Sequence, residues 1–290
     1  MSRLPSQVVC GVDFSDASAR AVAWAHLLAG RLRRRLVLLA VIDPLMANAA
    51  RAQSGPAQFL EEARRDLEKF VAPIVGRPSD QVALEIAVGE PAALLLEASS
   101  RLDAIAVVGT HGLGRAERLF FGSTTLRLMR AATRPVFAVP RRRPEHGETE
   151  PAPDLQRLVC GVDFSAASVA AARAAHTLGA ALSLPLTLVH AVTILTVPTV
   201  WDVVLAPPED QQLEAARAQL DAIARDLGDP VPATVARIGH PEDVLGAEAV
   251  DEALIALGLG DLGGHRPGTT AMRVMAETKV PVLAVPSTLE

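Results

Sequence analysis

Residues 109–123 read GTHGLGRAERLFFGS, with Gly109, Gly112 and Gly122 in the spacing G-x2-G-x9-G and Ser123 directly after the last glycine. Glycines at 109 and 112 remove side chains, so that backbone N–H groups can approach phosphate oxygens, and they tolerate the positive φ of a tight turn. If a helix opens at Gly122, its free N–H groups, the hydroxyls of Ser123 and Thr124 and the positive end of its dipole face the same anion. His111 and Gly114 lie inside the loop, where the imidazole is placed to bond a phosphate or donate a proton. Arg115 and Arg118 add countercharge. The spacing therefore points to phosphate binding between a strand and a helix.

A loop of this kind needs a parallel sheet behind it, and the chain supplies that pattern twice. Residues 8–26, VVCGVDFSDASARAVAWAH, align with 158–176, LVCGVDFSAASVAAARAAH, at a constant offset of 150 and with 12 of 19 positions identical. Short runs rich in Val, Leu and Ile alternate with amphipathic stretches, which predicts strands covered by helices on both faces. Strands are expected near 7–13, 36–42, 82–88, 104–109 and 135–139, and again near 157–163, 185–192, 232–238, 252–258 and 281–285. Ser15 stands where a helix N-cap belongs, ahead of the alanine-rich 17–32, and FLEEARRDLEKFV at 59–71 has helical spacing. The fold class is α/β, two tandem doubly wound, parallel five-stranded, Rossmann-like sheets. The predicted division is 1–140, a linker at 141–154 marked by the proline-rich and charged run from PRRRPEHGETEPAPD, and 155–290.

PVFAVP (135–140) and PVLAVP (281–286) are apolar runs with prolines at both ends, which suits a sheet edge. A bare apolar edge invites aggregation, so pairing or packing the two together would make the chain a pseudo-twofold dimer of its own halves. In such a sheet the chemistry sits at the carboxyl ends of the strands, where strand order reverses. Asp13 ends the first strand there and Gly109 the fourth.

Composition narrows the partners. The 290 residues carry a formal net charge of -5 and are 50% apolar, with no basic excess favouring nucleic acid or an anionic membrane. No apolar run approaches a membrane span and MSRLPSQVVCGVD enters a strand without a signal-like segment, so a cytoplasmic location is expected. Cys10 and Cys160 hold equivalent places in apolar strands and read as buried thiols. The seven histidines show no zinc-site spacing, with His26 and His176 on equivalent helices and His190, His240 and His265 in separate segments.

With these motifs in place, nearly the whole chain outside the linker resembles the universal stress protein family in its tandem form, a fold of the adenine nucleotide alpha hydrolase type. The G-x2-G-x9-G-S run at 109–123 matches the signature of the family's nucleotide-binding members. The chain also resembles the family in the opening Val12–Ser15, in Gly89 with Pro91, and in Pro135 to Pro140. The resemblance implies ATP, with Mg²⁺, held by the first half. Asp13, with Ser15 beside it, would contact the ribose or the metal-phosphate region, and Val41 would offer its backbone to adenine. Gly109, Gly112, Gly122 and Ser123 would hold the phosphates. Such members show little or no hydrolysis. Phe14 departs from the small residue often found there.

The second copy departs further. Aligning 103–109 with 252–258 sets Asp261 where Gly112 stands and leaves six residues before Gly268 and Thr269 instead of nine. A carboxylate facing a polyphosphate costs on the order of 1 kcal/mol even when solvated. The alternative alignment through Gly260 and Gly263 shortens the cradle more. ATP is therefore expected in the first half alone, while Asp163 and Ser165 leave room for a smaller ligand or metal in the second. Three functions compete: an ATP-binding stress or signalling module, a slow ATPase, and a non-nucleotide scaffold acting through pairing or a homodimer. The chain has no GxxxxGK[ST] P-loop and no evident activated nucleophile, which disfavours the enzyme. Gly109→Val and Gly122→Asp are both expected to abolish nucleotide binding with the fold intact.

Overall fold

The computed structural model describes residues 4–76, 79–110, 122–140, 153–193, 208–250, 252–260 and 269–287. In the first half, β1 (Gln7–Val12), β2 (Arg35–Ile42), β3 (Val82–Val88), β4 (Ala104–Gly109) and β5 (Val136–Val139) alternate with helices. These are α1 (Asp16–Leu32), α2 (Pro44–Ser54), α3 (Pro56–Val75), α4 (Pro91–Arg101) and α5 (Ser123–Ala131). The second half repeats the order with β6 (Arg157–Gly161), α6 (Ala166–Leu182), β7 (Leu186–Val192), α7 (Glu209–Leu227) and β8 (Ala233–Ile238). It closes with α8 (Pro241–Glu248), β9 (Ala253–Leu259), α9 (Thr269–Glu277) and β10 (Val282–Pro286). The linker expected at 141–154 lies outside the described residues up to 152, Arg141 to Arg143 included.

The strands form a single ten-stranded sheet ordered β3-β2-β1-β4-β5-β10-β9-β6-β7-β8. Every ladder is parallel except the central one, where β5 and β10 run antiparallel and pair Val136 with Ala284, Phe137 with Leu283 and Ala138 with Val282. The order reads the same from either end once halves are exchanged, which is an internal twofold. Prolines do not interrupt the ladder. Pro135 and Pro281 precede their strands and contribute only carbonyls, to the N–H groups of Ala106 (3.1 Å) and Ile255 (3.0 Å).

Residue alternation divides the core between the two faces. Val8, Cys10 and Val12 face one side, with Ala21, Val22 and Trp24 of α1 and Leu67 and Val71 of α3; the corresponding α6 and α7 residues continue the same cluster. Val9 faces the other side with Leu95 of α4 and Leu128 and Met129 of α5, continued by α8 and α9. Each fully buried Val, Leu or Phe contributes about 1.5–3 kcal/mol of burial. α1 is bounded chemically at both ends. Ser15 Oγ accepts the Ser18 N–H (3.2 Å), and Arg33 closes the helix in the left-handed region at φ 54°. At its last turn Arg31 donates to the carbonyls of Leu155 and Leu182, tying the first half to the second.

Candidate functional site

Strand register brings the expected residues to one edge of the sheet. Val12 pairs with Ala40, so Asp13 and Val41 follow at the same level. Cys10 pairs with Val107, and continuing that register by two residues sets Gly109 beside Val12. With β2 on one side of β1 and β4 on the other, this is where strand order reverses.

Asp13 is exposed, and its Oδ1 accepts the N–H of Ser15 (3.0 Å) and the Ser15 hydroxyl (2.5 Å). Its Oδ2 takes no hydrogen bond from a described residue. This Asx turn holds Phe14 at φ 61°, a conformation uncommon for a bulky side chain, and its ring packs edge-on to Phe70 of α3 with centroids 5.3 Å apart. Phe14 is therefore turned toward α3 rather than lying flat along the sheet edge.

The glycine-rich segment between β4 and α5 is anchored at both ends. The Thr110 N–H donates to Val139 (2.9 Å) and the Thr110 carbonyl accepts the Gly122 N–H (2.7 Å), fixing the start of α5 one residue beyond β4. The Thr125 hydroxyl donates to the Gly109 carbonyl at 2.9 Å. Both threonines are buried, each 2% exposed. Neither was singled out in the sequence, although both flank the glycines. α5 follows its N-cap Gly122, which has no side-chain cap, unlike Ser15 ahead of α1, so among the described residues no side-chain oxygen caps its first turn. Ser123 is exposed and Thr124 half-buried at this end. His111, Gly112, Gly114, Arg115 and Arg118 lie outside the described residues.

Gly109 has a reason that its spacing did not reveal. A Cβ there would stand 2.9 Å from the Ala17 carbonyl oxygen, because the first turn of α1 passes directly over the end of β4. Gly258 in the second half meets Ala167 oxygen at 2.4 Å in the same way. The glycine is needed for helix approach in both copies, so Gly109→Val perturbs folding, contrary to the expectation that the fold would stay intact.

The second half repeats the turn but has no counterpart of the Thr125 hydroxyl bond. Ser165 N–H and Oγ bond Asp163 Oδ1 at 3.0 and 2.5 Å, Phe164 sits at φ 64°, and Asp163 N–H bonds Ser168 Oγ at 3.2 Å. Burial pushes the Asp163 carboxyl up, but the Ser165 and Ser168 hydrogen bonds outweigh it and hold it below the ordinary carboxylate range. Taking Gly109 with Gly258 and Gly122 with Gly268, the positions of Thr110 and Thr125 fall to Leu259 and Ala271, both buried apolar residues. Asp261, Gly263, His265 and Gly268 lie outside the described residues. Where β2 has Ala40, β7 has His190, which bonds the Val162 carbonyl through Nδ1 at 2.6 Å and stacks on Phe164 at 4.4 Å. His176 bonds the Pro230 carbonyl at 3.0 Å and His240 stands at the start of α8. Among the described residues no group of three or more His, Cys, Asp or Glu could hold a metal ion, and no helix is long and apolar enough to cross a membrane.

The model of the universal stress protein family matches residues 6–140 and 155–286. A universal stress protein of Mycolicibacterium smegmatis (strain ATCC 700084 / mc(2)155) is 28% identical over 298 residues, covering 96% of each chain. The crystal structure of a universal stress protein from Archaeoglobus fulgidus DSM 4304 superposes with a TM-score of 0.68 at 15% identity, covering 97% of this chain and 99% of that one. A functionally unknown protein from Pseudomonas aeruginosa PAO1 superposes at 0.60 and 14% identity, over 98% and 93%. The chain is thus similar to these proteins along nearly its whole length.

Proposed function

Because the chain belongs to the universal stress protein family in both halves, we propose that it is an ATP-binding stress-response or signalling protein whose first half holds the nucleotide. The observation that carries this is the uninterrupted G-x2-G-x9-G-S spacing of 109–123 ending at the uncapped start of α5. The N–H groups and hydroxyls of Ser123 and Thr124 receive phosphate oxygens, with Gly122, whose own N–H is held by the Thr110 carbonyl, leaving the approach open, aided by Gly109, His111, Gly112, Gly114 and Arg115. Val41, level with Asp13, offers its backbone to adenine. Ser15 keeps Asp13 oriented.

Mg²⁺ fits this site as a companion of the nucleotide rather than as a resident ion. Asp13 retains one oxygen without a described donor, and Mg²⁺ is commonly held by one or two carboxylates together with substrate phosphates. When bound, the ion would neutralise phosphate charge, with Asp13 as its protein ligand. The second half, with a shorter and more acidic loop and with Ala271 in place of the Thr125 hydroxyl, serves pairing and regulation. The functional units in this proposal are 1–140 and 155–290, joined by 141–154, and the protein works in the cytoplasm. The halves act as an internal dimer; a homodimer of whole chains is a separate association that sedimentation equilibrium tests.

Calorimetric titration of Mg·ATP into the full chain, stripped of nucleotide, decides the matter. One site per chain is expected, lost in Gly122→Asp. Two sites would overturn the assignment of the second half as degenerate; none, from folded and empty protein, would overturn nucleotide binding and favour a scaffold.

A further inference from the structure

On the α1 and α6 face of the sheet, a cavity of about 70 Å³ lies where the two halves meet. Leu4, Pro5, Ile105 and Pro135 of the first half form one wall, and Leu178 and Leu283 of the second form the other. Its twofold mate is filled. Phe137, which pairs with Leu283 across the axis, packs against Trp24 with centroids 6.1 Å apart. At the offset of 150, the α1 positions Arg20, Ala23, Trp24 and Leu27 correspond to Ala170, Arg173, Ala174 and Thr177 of α6. These share one helix face at i, i+3, i+4 and i+7, and all four α6 residues line the cavity. Three large side chains have become small, and the fourth position has gained a cation. The Thr177 hydroxyl donates to the Arg173 carbonyl at 2.9 Å, leaving its methyl as wall. Arg173 is exposed and forms no ion pair among the described residues.

We propose that this cavity is a binding site for a short-chain carboxylate, with its alkyl tail between Leu283, Ile105 and Ala174 and its carboxylate on the Arg173 guanidinium. The wall chemistry selects an apolar tail, and the single unpaired cation at its edge selects an anionic head. A dry apolar cavity of about 150 Å³ accommodates the six carbons of benzene, so roughly half that volume suits a tail of about three to four carbons. The ligand touches both halves, so it binds the folded arrangement in which they are joined and raises its stability by mass action.

The test uses 3-methylbutanoate with the full chain, followed by ligand-observed NMR and thermal melting, with 3-methylbutanol as the neutral analogue. Saturable binding of the carboxylate at millimolar concentration with a rise in Tm is expected. Ala174→Trp, which plugs the cavity as Trp24 plugs its mate, should weaken binding by more than about tenfold. Arg173→Gln, at an exposed position that leaves packing alone, should weaken the carboxylate by about two- to fivefold and leave the alcohol unchanged. Gly122→Asp should change neither, which separates this site from the nucleotide loop. The proposal is overturned if the parent shows no saturable binding, if folded Ala174→Trp binds as the parent does, or if Arg173→Gln leaves the carboxylate unaffected.

Discussion

Adding one methyl group at Gly109 or Gly258 separates the packing role of these glycines from any role in ligand binding. In Gly109→Ala the new Cβ meets the Ala17 carbonyl oxygen at 2.9 Å, its carbon at 3.0 Å and its Cβ at 3.1 Å. The first two are backbone atoms in the opening turn of α1, which the Ser15 cap holds in place, so the strain cannot be relieved by a rotamer change. Overpacking of this kind costs about 1–3 kcal/mol. Against it, alanine restricts the unfolded chain, which returns about 0.4–1 kcal/mol where the backbone suits it. A net loss of about 1–2 kcal/mol follows for Gly109→Ala. At Gly258 the same atoms stand at 2.4 and 2.5 Å, with Ser168 nitrogen at 2.8 Å, which moves the overpacking cost to the top of the range, about 3 kcal/mol, and the net loss to about 2–2.5 kcal/mol. At roughly 2 °C per kcal/mol for a chain of this size, the melting temperature should fall by about 2–4 °C and about 4–5 °C respectively. Both are read by thermal melts of nucleotide-free protein, with ATP titration of the folded variants afterwards. Gly258→Ala should leave the ATP stoichiometry of the parent intact. The steric reasoning fails if Gly109→Ala melts with the parent, or if Gly258→Ala is no worse than Gly109→Ala.

Thr125→Ala removes the hydroxyl that bonds the Gly109 carbonyl and leaves a buried acceptor, so about 1–3 kcal/mol of stability is lost and calorimetry should show weaker ATP binding. Glu90 caps α4 through the Ala93 N–H (2.7 Å) and pairs with Arg127 of α5 (3.2 Å). Its slight burial pushes the carboxyl up, but the Ala93 and Ala92 N–H groups and Arg127 outweigh this and hold it low. A lowered folded pKa means a contribution present above the ordinary carboxylate pKa and lost as pH falls through the folded value. Glu90→Ala should therefore be less stable than the parent at neutral pH by about 1 kcal/mol and indistinguishable from it in acid, as urea melts at both pH values will show. Burial pushes the Cys160 thiol up to about 12, and burial with the nearby Asp13 charge pushes Cys10 higher still. Neither should react with a thiol reagent at neutral pH until denaturant is added, which absorbance of the released chromophore reports.

All ten strands were legible to within two residues, because each is a short apolar run bounded by turn or capping residues. Compare 36–42 with Arg35–Ile42, or 281–285 with Val282–Pro286. The Ser15 cap was equally plain, since serine ahead of an alanine-rich stretch has a local meaning. α2 was not singled out, although Pro44 at its first position and the Asp43 carboxylate, which accepts the Leu45 N–H at 2.7 Å, mark its start. What the sequence hid was long-range. The demand for glycine at 109 comes from Ala17, on a different element, and a threonine beside a glycine reads as a strand end until Thr110 is seen to hold Gly122. The alignment already set Ala271 against Thr125, but that this removes a bond is seen only where the Thr125 hydroxyl meets the Gly109 carbonyl.

The features that both halves retain are those with a structural reason, and this bears directly on Asp13. The Asp–Ser–Ser turn, the bulky residue at positive φ and the glycine under the helix recur in the half that lacks the phosphate-loop spacing, so their presence alone does not identify a ligand site. Asp163 takes the same two Ser165 bonds that Asp13 takes from Ser15, at the same 3.0 and 2.5 Å. Asp13→Ala and Asp163→Ala should then cost similar stability, about 1 kcal/mol for the lost turn bonds. Only Asp13→Ala should also weaken Mg·ATP, because only beside Asp13 does an uncapped helix start close a full-length glycine loop. Matched thermal melts with paired calorimetric titrations measure both effects. Equal loss of ATP affinity in the two variants would mean that the nucleotide reaches the second half after all. No loss in either would reduce Asp13 to holding the turn ahead of the helix cap, as Asp163 already does.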